Sequence, residues 1–238
     1  MKWLSKVAVG GVLWLSFSAL AFGDTLTITS QTQSVEDGGQ FAAFLSSNPS
    51  QQLYVYCVDF QNYASFSGYA VNISVPNVNN ASSVVNTRYG TTPTSDFTFD
   101  TNSLPAVQRY VLAAWLVTQY NFTSGVTTAD DQIQDAIWTL LNTGSTANFP
   151  GGDAAGTGNY LTAALNWYGA ETSSALSQFE GGIQIFTSTN VASTGLPARW
   201  TTGYQEMITV TTTPEPATLT MLGIGFLAFG CLRKRVKA

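Results

Sequence analysis

Few residues in this chain are equipped to react. Residues 24–213 contain no histidine, and the lysines of the whole sequence are Lys2, Lys6, Lys234 and Lys237. A Cys–His pair, a Ser–His–Asp triad, a Cys/His zinc site and an internal Lys–Asn isopeptide bond are therefore excluded from the middle of the chain. Carboxylates and one thiol remain. Asp130, Asp131 and Asp135 offer the acids that a glycosidase needs, although a place at the start of a helix already accounts for them. The thiol is Cys57, in the stretch LYVYCVDF, and the second cysteine of the chain, Cys231, lies in a C-terminal apolar run. A single thiol in a compartment that oxidises thiols is either inert packing or a reactive group with another purpose.

The elements that position these groups follow from periodicity. QQLYVYCVDF is aromatic and β-branched and predicts a strand buried on both faces. TADDQIQDAIWTLLNTG predicts a helix, with Thr128 and Asp131 as a capping-box-like pair and Gly144 as its stop. On that helix, at ~100° per residue, Gln134 falls about 100° from Ile133, between Leu141 near 80° and Trp138 near 140°. Asp131, Asp135, Thr139 and Asn142 occupy the opposite side. A glutamine thus points into the apolar arc, where a carboxamide without partners costs roughly 1–3 kcal/mol.

Taken together, YCVDF and the downstream IQDAIW resemble the thioester domains of bacterial surface adhesins. In that family a strand cysteine is joined to the glutamine of a T-Q-x-A-I-W type motif at a helix start. Cys57 matches the cysteine, and Gln134, Ala136, Ile137 and Trp138 match the second motif, with Ile133 in place of the threonine. The resemblance implies attack of the Cys57 thiolate on the Gln134 side-chain carbonyl with loss of ammonia. The resulting internal thioester would transfer its acyl group once, to an amine or hydroxyl of an external target. Tyr56, Asp59 and Trp138 are the supporting candidates around it. Trp138 and Tyr56 are expected to pack. Asp59, two residues on from Cys57, is a candidate for proton transfer or for capping the strand end.

The two ends of the chain read as sorting signals. A basic start, a charge-free apolar stretch and small residues at Ala21 and Gly23 predict a signal peptide over residues 1–23, removed by signal peptidase. At the other end, Pro214-Glu215-Pro216 precedes a charge-free run over residues 217–232 and the basic tail Arg233, Lys234, Arg235 and Lys237. This order resembles the PEP-CTERM signal, which implies processing by an exosortase. At sixteen residues the run is shorter than the ~20 of an ordinary membrane span, so the expected membrane association is transient. Residues 211–216 form the linker and residues 24–210 the thioester-like ectodomain.

Residues 24–213 carry thirteen acids against Arg88, Arg109 and Arg199, a net charge of −10 that gives no attraction to nucleic acid. The expected fold class is α+β. Strands over DTLTITSQ, QQLYVYCVDF, SGYAVNISV, GGIQIFTST and GYQEMITVTT form an antiparallel β-sandwich or barrel-like sheet. A helical insertion carries Gln134 back to Cys57. Its first helix lies in NSLPAVQRYVLAAWLVTQYN, with Ser103 as a cap and Pro105 in the first turn. Its third lies in GNYLTAALNWYGAETSSALSQF. A signal helix and a C-terminal hydrophobic helix flank the ectodomain. No metal or other cofactor is expected. Besides covalent capture at the cell surface or in the extracellular matrix, two other functions fit these residues: a non-reactive structural protein of the exopolysaccharide or biofilm layer, and a carboxylate glycosidase.

Overall fold

The computed structural model describes residues 23–35, 38–59, 64–90, 104–141, 154–189 and 204–211. Residues 1–22 of the expected signal peptide, residues 212–238 with the linker's PEP motif and the hydrophobic run, Ser103 and Gly144 lie outside them. Among the described residues no helix is long and apolar enough to cross a membrane.

Six antiparallel strands close into a barrel in the order β1-β2-β3-β6-β5-β4. The strands are β1 (Asp24–Val35), β2 (Gly38–Leu45), β3 (Asn48–Cys57), β4 (Tyr69–Ser74), β5 (Ile183–Ser188) and β6 (Met207–Val210). Between β4 and β5 come a short 3-10 helix (Ala81–Val84) and the helices α1 (Ala106–Val117), α2 (Thr128–Leu141), α3 (Ala154–Ala170) and α4 (Ser173–Gly181). The α+β class and the helical insertion are as expected, and closure of the sheet decides for the barrel over the sandwich. Closure leaves the sheet without open edges.

Several local expectations are corrected. β2 was not expected: Gly38 and Gly39 open it and two alanines sit at its centre, so its intrinsic strand signal is weak. Pairing on both sides, with β1 and β3, makes it a strand. β1 runs on past the expected stretch to Val35, with register shifts after Ile28 and Gln31. β3 is not buried on both faces. Val55 and Cys57 point into the barrel, whereas Tyr54 on the outer face is 49% exposed. Pro105 stands at the N-cap of α1 without a side-chain cap. The expected third helix is two, because the Thr172 hydroxyl accepts from the Ala175 N–H and starts α4 afresh.

Two cores result. Leu26, Ile28, Phe41, Val55, Cys57, Tyr69, Phe186, Met207 and Trp138 fill the barrel. A second cluster joins α1, α2 and α3 to the outer face of β5 and β6 through Ile183, Ile185 and Ile208. α2 belongs to both. Its Ile133, Ala136, Ile137, Leu140 and Leu141 pack among the helices, while Trp138 reaches into the barrel. The side of α2 that the sequence marks as polar is covered too. Asp135 and Thr139 are buried, and α3 packs against α2. The approach is close enough that a Cβ on Gly156 would meet the Gln132 side chain at 2.2 Å.

Candidate functional site

Cys57 is the last residue of β3, opposite Met207 of β6, and its side chain is fully buried. Its thiol lies 3.4 Å from the main-chain carbonyl oxygen of Asp59, to which it donates. Gln134 is also fully buried, nearly two turns into α2. Its Nε2 donates to the Cys57 carbonyl oxygen at 2.9 Å. Its Oε1 accepts from the Gly39 N–H at 2.9 Å and from the Tyr120 hydroxyl at 2.9 Å. Donors surround the oxygen and an acceptor faces the nitrogen, so the amide orientation is fixed by its partners. The desolvation cost of the buried amide is offset by three hydrogen bonds.

The sequence folds this way for local reasons. Gln134 and Trp138 are four residues apart and so share one face of α2, which is turned to the barrel mouth. Gly38, the first residue of β2, makes room for both. A Cβ on Gly38 would lie 2.9 Å from Gln134 Oε1 and 2.9 Å from Trp138 Cζ2. Gly39 has φ +102°, a conformation that glycine adopts without strain, and its N–H is the one that meets Gln134. Gly38 and Gly39 escaped the sequence reading, although Gly-Gly ahead of an apolar run is a turn signal. Tyr120 escaped it as well, with no motif to mark it.

Tyr120 lies in the α1–α2 connection, between Tyr56 and Phe122. Its ring stacks on Tyr56 at 5.5 Å and 9°, and on Phe122 at 5.1 Å and 20°. Tyr56 points away from the barrel interior, accepts from Gln40 Nε2 at 2.6 Å, and supports the site through this stack. Asp130 ties down the same connection. Its carboxylate accepts from the Asn121 N–H at 3.2 Å and from the N–H and hydroxyl of Thr127, both at 2.8 Å. The capping pair is thus Thr127 and Asp130, one residue earlier than Thr128 and Asp131. Burial, with Cys57, Tyr56, Asp130 and Asp131 nearby, pushes the Tyr120 hydroxyl well above the ordinary tyrosine range. It stays a donor.

Asp59 meets the thiol through its main chain. Its carboxylate forms an ion pair with Arg88 at 2.9 Å and accepts from the Tyr89 hydroxyl at 2.7 Å and the Glu206 N–H at 3.5 Å. A buried carboxylate needs such compensation, and the network draws it toward Arg88. Glu206, fully buried beside it, accepts from the hydroxyls of Tyr110 and Thr187 and from the Arg88 N–H. Burial raises the Glu206 carboxyl above its ordinary range, against those hydrogen bonds, and Asp59 adds to the rise. Between the ordinary glutamate value near 4.5 and this raised value, the folded chain therefore holds a proton that the unfolded chain has lost. That contribution to stability falls as pH rises through the window. Urea unfolding from mildly acidic to neutral pH is expected to show a shallower slope of stability against pH in Glu206→Gln than in the wild type. Equal slopes would mean that Glu206 does not titrate there.

Residues 212–235 match a family described as the PEP-CTERM protein-sorting motif. The chain is an exported protein, sorted by exosortase and held at the cell envelope. No curated protein and no solved structure matches it.

Proposed function

We propose that the barrel and α2 form an internal thioester between Cys57 Sγ and Gln134 Cδ, and that the protein uses it once to attach covalently to a target at the cell surface or in the extracellular matrix. The observation that supports this best is the setting of the Gln134 carboxamide. It is shut away from water, seated on the Cys57 main chain, and its carbonyl oxygen takes two donors that polarise the carbon.

The chemistry balances without a co-reactant. The sulfur of Cys57 adds to Cδ of Gln134, the C–N bond breaks, and the thiol proton leaves with the nitrogen as ammonia. An external amine or hydroxyl then adds to the same carbon and the C–S bond breaks. The proton of the nucleophile returns to sulfur, and the target is held through residue 134 by an amide or ester. Burial protects the acyl group from water until a nucleophile reaches it.

Intact mass decides the matter. The exported protein is expected to be lighter than its processed sequence by one ammonia and to show no titratable thiol while folded. Methylamine should open the bond, leave an N-methylated side chain at position 134 and release one thiol. Cys57→Ala and Gln134→Ala should each abolish the mass deficit, with the thiol retained only in the latter. A link across 77 residues stabilises by at most ~4.5 kcal/mol by loop closure, so both variants should also unfold at lower urea. A wild-type protein of full sequence mass would leave Cys57 as packing and favour the structural protein of the exopolysaccharide layer.

A further inference from the structure

We propose that Tyr120 is a catalytic residue of this acyl chemistry, its hydroxyl forming with the Gly39 N–H an oxyanion site that serves both the making and the opening of the thioester. The proposal rests on the thioester reading above. Two donors at 2.9 Å converge on one oxygen, Gln134 Oε1, and that oxygen gains the negative charge when either nucleophile adds to Cδ. Hydrogen bonds to an anionic oxygen are about twice as strong as those to a neutral carbonyl. The pair therefore favours the tetrahedral state over the amide, the thioester and the final product alike.

The donors are placed before any reaction starts. Gly39 is fixed by its pairing with Ser34 of β1. Tyr120 is held by rings on both faces and by the Asp130 bonds to the connection that carries it. Little reorganisation accompanies the build-up of charge, which is where such a site gains its effect. Cys57 attack and target attack share the carbon and the oxygen. Loss of the hydroxyl must therefore slow the two steps together, whereas a residue that only guides the target would slow opening alone.

The test is Tyr120→Phe, which keeps the stack with Tyr56 and Phe122 and removes one oxygen. Formation is followed as loss of ammonia by intact mass during timed cell-free synthesis of the full chain. Opening is followed with methylamine on the exported protein. Both rates are expected to fall by about 10²–10³-fold, the usual effect of one lost oxyanion donor. Phe122→Leu, which loosens the stack but leaves both donors, should slow both steps far less than Tyr120→Phe. Unchanged methylamine opening in Tyr120→Phe would overturn the proposal, as would equal slowing by Phe122→Leu, which would reveal packing alone. Should Tyr120→Phe fail to fold, the infrared carbonyl band of the wild-type thioester still decides. A band shifted down from that of an alkyl thioester without hydrogen bonds supports the oxyanion site, and an unshifted band overturns it. A wild type without any mass deficit removes the thioester reading and this proposal with it, a result distinct from a wild type that reacts and a variant that keeps pace.

Discussion

Gly39→Ala is expected to destabilise the folded protein by about 3 kcal/mol or more, well beyond a surface substitution. Two costs add. At φ +102° a side chain is strained wherever it sits, and here its Cβ would also lie 2.3 Å from the Gln33 carbonyl oxygen and 2.8 Å from the Val35 nitrogen. Both are backbone atoms of β1, so relief requires the strand to move. Movement would carry the Gly39 N–H off Gln134 and leave one side of the carbonyl oxygen without its donor. Gly125 is the internal comparison. It has φ +82°, but a Cβ there would meet nothing within 4 Å. Gly125→Ala should therefore cost only the backbone penalty, about 1–2 kcal/mol. Urea midpoints of the two variants, measured side by side, check the difference. Similar losses would show that β1 yields to the start of β2 more readily than the contacts of Gly39 imply.

Arg88→Met should cost about 3–5 kcal/mol, the usual effect of removing one partner from a buried ion pair. The guanidinium pairs with Asp59, which is fully buried, and also donates to the Tyr204 carbonyl oxygen at 3.0 Å. Without it, Asp59 and Glu206 face each other across a network of hydroxyls and main-chain groups. The nearby Asp59 charge, no longer offset by the guanidinium, then raises the Glu206 carboxyl further, so the variant should lose more stability than the wild type as pH rises toward neutral. Arg88→Met combined with Asp59→Asn should recover much of the loss, because the stranded charge is gone. A double variant no more stable than the single would place the cost of Arg88→Met in lost packing or in the Tyr204 contact.

Much of the site was legible because it rests on local signals. The strand around Cys57 and the inward face of Gln134 follow from alternation and from the helical period, and the structure puts the carboxamide on the Cys57 carbonyl. Trp138 was readable as packing for the same reason. What escaped is non-local. Gly39 becomes a donor to Gln134 only because β2 pairs between β1 and β3, and β2 carries too little intrinsic strand preference to declare itself. Tyr120 reaches the same oxygen from a connection whose course is set by Asp130, a bond that no spacing rule announces. Asp59 lies close to the thiol in sequence, but its carboxylate is drawn away by Arg88, a cation 29 positions further along. Closure of the sheet into a barrel was undecided for the same reason: it depends on β4 meeting β1.

β6 carries a mechanical consequence. It has four residues, pairs with β3 on one side and β5 on the other, and is followed at once by the sorting segment. A protein held at the envelope by that segment and gripped at residue 134 would be pulled through β6. Tension along the strand loads its two antiparallel ladders in shear, so several hydrogen bonds must break together rather than one after another. Met207 and Ile208, buried on opposite faces of the strand, anchor it to the barrel interior and to the helical layer. The shortest strand of the barrel is thereby gripped by both layers, as is its neighbour β5 through Ile185 and Phe186.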